Sequence, residues 1–362
     1  MIIISPKWIY SKNNKLDTDK SLLIDEAIIA DILDENKIKK KYNKVERICY
    51  PNHILMPSFT ESFLSMNDCH NKEIIEMKIN KIILNGITKI QIFTKDYNNI
   101  LKFNLNCNAN ISYIIPLDGK RCSQRDIKEL INILDYYKSD PTKQFGINLI
   151  NILEFNEEVL EKISSIANEV NMNIHIEGND LNEIINKNNI TEIVSFWESI
   201  NLLNNIYMHN MLRENKKWLQ MINKKNITLI ISYKEIDNID SINMFINLLE
   251  KKYKCILVSD DNESFSFYKI IKILEFLNEE KTISFDQKKL INCITLNSVE
   301  LFNKYSNSGS IDIGNQASFN LFDYTINKFI SVDDVKPKLS DIDNQSLSHV
   351  WSVGKQVLNN HE

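Results

Sequence analysis

Glycine is scarce in this chain. It has seven in 362 residues, about 2% against the ~7% of ordinary soluble proteins. Catalytic barrels use glycine in tight loops against substrate, so the scarcity argues against an elaborate, loop-built active site. No run of roughly 18 consecutive apolar residues occurs, which excludes a transmembrane helix by sequence. The opening residues, Met1 to Lys7, lack the basic-then-apolar layout of a secretory leader and read as a strand. Charge of one sign is also missing. Charged residues make up 25% and the net charge is −5, with no long block, so neither a nucleic-acid nor a membrane partner is expected. The most basic local run, Lys37 to Lys44, reads as a solvated helix or turn. The six cysteines are scattered without a CxxC pair and read as free thiols in a reducing, cytoplasmic setting. No nucleotide-binding glycine loop follows any strand, and no GxSxG, HExxH or EF-hand pattern occurs.

What is present is apolar patterning, with 43% hydrophobic residues, enough for a sizeable core. Residues 1–55 alternate short apolar runs with Asn and Asp turns and predict a small antiparallel sheet. Eight strand candidates follow, each spaced by a helical pattern: Ile54 to Phe59, Lys89 to Phe93, Ile111 to Pro116, Gly146 to Ile152, Met172 to Ile176, Asn205 to Met208, Ile227 to Ser232 and Cys255 to Ser259. Two helices have clear starts, one after Ser123 with Asp126 as capping partner and one after Asn156. Eight β–α units in about 250 residues match the size of a (β/α)8 TIM barrel. Residues 306–362 return to short strands, including Ser318 to Asp323, Phe329 to Ser331 and Ser348 to Val353. The expected architecture is α/β, with a TIM barrel at 56–305 and a small β-sandwich domain built from both termini, 1–55 and 306–362. Trp8, Trp197, Trp218 and Trp351 read as core and interdomain packing.

Four segments carry a resemblance. Asp25-Glu26-Ala27-Ile28 resembles a D-G-x-I hairpin opening. His53-Ile54-Leu55-Met56-Pro57-Ser58-Phe59 resembles an L-M-P-G-F entry into a first barrel strand. Gly309-Ser310-Ile311 with Gly314 to Asp323 resembles a G-S-I and G-K-x-A-D-L-V pair. Ser348 to Val357 resembles a closing V-W-V-x-G-K. In this order the chain resembles the amidohydrolase superfamily, in its chlorohydrolase and nucleoside-deaminase branch, which includes methylthioadenosine/S-adenosylhomocysteine and aminodeoxyfutalosine deaminases.

The resemblance implies a Zn or Fe ion at the barrel mouth, held by His-x-His on strand one, a His each on strands five and six, and an Asp on strand eight. Such a metal activates bound water. Here the His-x-His positions fall on Phe63-Leu64-Ser65, and no His lies between His53 and His70. His70 is the nearby substitute. His175 matches the strand-five ligand, with Glu177 as the acid/base residue. His209 matches strand six. Asp260 matches strand eight, where it serves as ligand and proton shuttle. Strand seven, Thr228 to Tyr233, lacks the His expected there, and Lys234-Glu235 after it reads as a surface turn.

Two readings follow. In the first, the metal site of His175, His209 and Asp260 is vestigial, no cofactor is held, and the protein is a non-catalytic ligand-binding or partner subunit, with a small molecule at the barrel mouth. In the second, a reduced site still binds Zn or Fe, and Glu177 and Asp260 serve catalysis on a purine nucleoside derivative. The resemblance implies a homodimer in either case.

Overall fold

The computed structural model describes residues 1–11, 16–67, 71–94, 101, 103, 105, 107–137, 140, 144–178, 190–210, 212, 227–259, 266–280, 283–299, 301–302, 308–325 and 342–359. They form two eight-stranded sheets. The first joins the chain ends. It holds β1 (Ile2–Tyr10), β2 (Leu16–Thr18), β3 (Lys20–Asp25), β4 (Ile28–Asp34) and β5 (Arg47–Pro57), then β14 (Phe319–Asp323), β15 (Leu347–Ser352) and β16 (Lys355–Asn359). Their order is β16-β15-β14-β5-β1-β3-β4, with β2 against β1. The expected all-antiparallel pairing is corrected at one position, because β1 and β5 run parallel. A hairpin makes neighbours antiparallel, whereas β5 returns to the far side of β1 only after β3, β4 and helix α1 (Glu35–Lys41). The sheet folds over on itself, since Ile28 in edge strand β4 bridges Gln316 just ahead of β14. Its enclosed face buries Ile4, Leu22, Leu55, Phe319, Leu321 and Trp351. The expected Phe329 to Ser331 strand and Trp218 lie outside the described residues.

The second sheet is the barrel: β6 (Phe59–Ser65), β7 (Ile87–Phe93), β8 (Asn110–Asp118), β9 (Gln144–Ile150), β10 (Asn173–Glu177), β11 (Ile206–His209), β12 (Thr228–Ser232) and β13 (Lys254–Val258). Each pairs in parallel with the next. Described helices follow the strands: α2 (Lys72–Ile83), α3 (Gln124–Tyr137), α4 (Glu157–Glu169), α5 (Ile190–Ser199), α6 (Ile239–Glu250), α7 (Ser266–Glu279), α8 (Gln287–Ile294) and α9 (Leu296–Val299). None of them is long and apolar enough to cross a membrane. The α3 and α4 starts are as the sequence predicts. The Asp126 carboxylate accepts from Ser123 N at 2.7 Å, and Asn156 Oδ1 accepts from Glu158 N at 2.9 Å.

Seven of the eight strand positions fall within a few residues of expectation, and the first does not. Ile54 to Pro57 ends β5 in the terminal sheet, where Pro57 pairs with Phe319, and the barrel starts at Phe59. The chain changes sheet at Ser58. Ser58 N donates to Ser318 O at 3.2 Å on one side, and Phe59 N to Gly86 O at 2.9 Å on the other.

Parallel strands covered on both faces read as apolar runs, and all seven β7 residues are buried. Their outward side chains, such as Ile90, Ile92, Ile147 and Leu229, pack with helix residues such as Ile75, Ile79 and Ile163. Trp8 and Trp197 are buried in the same cluster, and Trp8 meets Tyr324 edge-on at 4.4 Å. The inward apolar set is smaller: Tyr207, Ile230, Ile256, Val258, Leu301 and Phe302, with Phe63 against it. Cys49, Cys107, Cys122, Cys255 and Cys293 are free thiols, and Cys69 lies outside the described residues.

Candidate functional site at the barrel mouth

In a parallel barrel all strands present their C-terminal ends on one side, so residues near strand ends converge there. On β10 and β11 the register sets His175 beside Tyr207 and Glu177 beside His209. The His175 ring stacks on Tyr207, centroids 5.3 Å apart, and its Nδ1 lies 2.8 Å from His209 Nε2. The close approach of these strand ends depends on Gly178. A Cβ there would lie 2.7 Å from His209 O and 2.8 Å from Asn210 O. Gly178→Ala should therefore push β10 away from β11 and cost about 1–3 kcal/mol, read by urea denaturation. A variant as stable as the wild type would show that the approach carries no constraint.

His175 is fully buried, and its pKa is held well below the usual imidazole value, first by burial and then by His209. The pair shares one hydrogen bond, so the donor of one ring fixes the tautomer of the other. Glu177 is pushed the opposite way. Burial raises its carboxyl pKa, and the Asn210 side-chain amide, donating at 2.9 Å, partly offsets this. A carboxyl of this kind keeps its proton nearer neutrality than a surface glutamate, which suits acid/base work.

On the first barrel strand, Phe63 faces inward. Its ring stacks on Phe93, centroids 4.9 Å apart, and lies 4.5 Å from the His209 ring. Ser65 is exposed at the rim, where its hydroxyl accepts from Asn67 Nδ2 at 3.1 Å. Among the described residues, no group of three His, Cys, Asp or Glu side chains is placed to hold a metal. His175 Nδ1 and His209 Nε2 do converge. However, two nitrogens on one tetrahedral zinc at about 2.0–2.1 Å lie roughly 3.3 Å apart, wider than the observed contact. The described residues therefore do not fit a metal centre by themselves. They provide two imidazole ligands and a phenyl ring, and a third protein ligand has to come from elsewhere. His70 and Asp260 lie outside the described residues.

Three buried polar features escape sequence reading. Glu61 is fully buried, and its carboxylate accepts from Ser259 N at 3.1 Å, from Ser259 Oγ, and from Phe63 N at 3.3 Å. The one signal for it was the period of two shared with Phe63 and Ser65. Glu235 is a correction. It is not on a surface turn but buried, accepting from Ser232 N at 2.9 Å and from Leu212 N at 2.8 Å. Ser232 and Glu235 form a reciprocal cap on the short turn after β12, and that cap takes the carboxylate inward. The third is a polar set deeper in the barrel, centred on Lys89, Gln91, Asn148 and the far side of His175.

With this geometry in place, comparison with known proteins places the chain. A sequence model of the amidohydrolase family matches residues 92–357. Among solved structures, the chain is similar to an adenosine deaminase from Xanthomonas campestris with bound zinc. The identity is 12%, the match covers 100% of this chain and 93% of that one, and the TM-score is 0.79. It is similar to an atrazine chlorohydrolase from Arthrobacter aurescens TC1 complexed with zinc, at 11% identity, 100% and 96% coverage and TM-score 0.74. It is also similar to the aminofutalosine deaminase of Helicobacter pylori, at 12% identity, 98% and 99% coverage and TM-score 0.69. No curated protein sequence matches the chain.

Proposed function

Because the chain belongs to the amidohydrolase family, we propose that it is a divergent member whose barrel mouth binds a small molecule, or which serves as a partner subunit, without metal-dependent hydrolysis. The observation that carries this reading is Phe63. It stands where the family resemblance calls for a metal-binding histidine, and its ring lies against Phe93 and His209. A phenyl ring offers no lone pair, and its contact with His209 favours a packed imidazole over a coordinating one. The direct His175–His209 hydrogen bond supports the same reading, because it engages His175 Nδ1 and His209 Nε2 with each other.

One observation favours a second reading. His175 Nδ1 and His209 Nε2 are aimed at each other's space, as two ligands of one ion would be, and similar structures hold zinc. In that reading His175, His209 and Asp260 hold Zn or Fe, which activates water, and the substrate is a purine nucleoside derivative. Elemental analysis of protein grown with added zinc and iron separates the two. The first reading expects metal far below one ion per chain and no ammonia release from a panel of adenosine derivatives. Near-stoichiometric metal that is lost in His209→Ala, together with deamination, would overturn it.

A further inference from the structure

The outward face of α7 does not read as a solvated helix surface. Its inner side buries Tyr268, Ile270, Ile271 and Leu274 in the wall of the barrel. A surface helix normally turns charged or polar residues outward on the opposite side. Here Ile273 is 48% exposed and Phe276 is 61% exposed. They stand between Lys269 on one side and Glu280 on the other, both exposed. Glu280 N donates to Phe276 O at 3.0 Å, so the helical path continues to Glu280. A helix turns by about 100° per residue, which places Lys269, Ile273, Phe276 and Glu280 within about 60° of arc and along about 16 Å of helix.

Two properties of this stripe point to a second copy of the same chain. The first is symmetry. Lys269 and Glu280 are equally far in sequence from the midpoint between Ile273 and Phe276. An antiparallel copy of the helix therefore sets Lys269 against Glu280 and Ile273 against Phe276, and sets the same two pairs again in reverse. That reciprocity is what a two-fold interface requires. The second property is that the charges run against the helix's own dipole. α7 has no acidic residue in its first turn and no basic residue in its last, while Lys269 lies near its start and Glu279 and Glu280 at its end. The opposite order favours a lone helix. An antiparallel partner brings acid to the basic start and base to the acidic end, which offsets the mismatch. Lys272 is left out of the stripe, because its ammonium is paired with Asp343 at 2.7 Å.

We propose that this protein pairs through α7 with a second copy of itself, the two helices antiparallel across a two-fold axis between Ile273 and Phe276. The apolar centre drives association. The Lys269–Glu280 pairs, one at each end, fix the direction, because parallel helices would set like charges against each other. One helix pair makes an interface at the small end of specific contacts, so dimer and monomer should exchange at micromolar protein. This pairing does not rest on the reading of the barrel mouth. Metal content leaves it untouched, and a monomeric chain leaves the mouth reading untouched.

Sedimentation equilibrium of the full-length protein at micromolar concentrations should show both monomer and dimer. Phe276→Glu should raise the dissociation constant by about tenfold or more. Tyr136→Glu, at an exposed position on α3, should leave it unchanged. Lys269→Glu and Glu280→Lys each set like charges against each other at both ends, so each variant alone should be largely monomeric. Mixed together, the two variants place opposite charges at both ends and should form a heterodimer as stable as the wild-type dimer. A substitution that merely weakened the helix would not be rescued by mixing. A wild-type chain that stays monomeric would overturn the proposal. So would a dimer indifferent to Phe276→Glu, equal weakening by Tyr136→Glu, or single variants that do not recover on mixing.

Discussion

Lys89→Met should make the protein more stable, by roughly 2–4 kcal/mol near neutral pH. Most substitutions of fully buried residues destabilise, so the expected sign is diagnostic. The cause is desolvation: burial alone pulls the Lys89 pKa from 10.5 down to about 7. At about 1.4 kcal/mol per unit, that shift corresponds to a cost on the order of 4–5 kcal/mol for the charged form, less whatever water relieves.

The pH dependence follows from the same shift. Below the folded value of about 7, Lys89 is charged in both folded and unfolded chains and the full cost is present. Between about 7 and 10.5 the folded chain is neutral there while the unfolded chain still holds the proton, so the cost shrinks as pH rises. Buried Cys255, Cys293 and Tyr268 act in the opposite direction, since burial raises their pKa values and they keep protons that the unfolded chain loses. These groups are common to wild type and variant, so the difference between the two isolates Lys89. Urea denaturation at about pH 6 and about pH 9.5 should show a large advantage for Lys89→Met at the first and a small one at the second. A variant less stable than wild type at the lower pH would mean that Lys89 has a counter-charge in solution.

Glu61→Ala should lower stability by about 3–5 kcal/mol. The barrel's hydrogen-bonded ladder runs from β6 to β13, and those two strands, though adjacent, are not paired by it. The Glu61 carboxylate reaches across that seam to Ser259, just after β13, and also holds the turn of its own strand through Phe63 N. Truncation removes the carboxylate that accepts from Ser259 N, Ser259 Oγ and Phe63 N. Glu61→Gln keeps an acceptor and a donor at the same reach and should recover more than half of the loss. Hydrogen exchange should show faster opening of β6 and β13 than of β9 and β10 in Glu61→Ala. Uniform loss across all eight strands would mean that Glu61 stabilises by burial alone and not by closing the barrel.

Much of this protein was legible in one dimension. Ile-rich segments spaced by amphipathic helices mark the barrel strands, because side-chain period depends only on local backbone geometry. The terminal motifs and the lack of His at positions 63 and 65 are likewise facts of the chain. His175 and His209 could be marked as a pair because both stand at ends of adjacent parallel strands, where a barrel must gather them. The first strand is not fixed by the chain alone, because Ile54 to Phe59 is apolar enough for either sheet. Only the pairing of Pro57 with Phe319 assigns it to the terminal one. The burial of Glu235 is hidden for a related reason, since a Lys-Glu pair after a strand gives no sign of which side chain folds inward.

What the tertiary structure alone decided are the buried charges. Glu61 and Ser259 are 198 residues apart, and their contact exists only once the barrel closes. The state of Lys89 depends on what the other strands set around its ammonium, since desolvation is a property of the assembled interior. The family resemblance, the order of strands and the absence of histidine at positions 63 and 65 rest on residue identity and local period, and so belong to the chain alone. The buried polar set around Lys89, the seam and the His175–His209 contact were decided by the closed barrel, because burial and partner geometry arise only when distant strands share one interior.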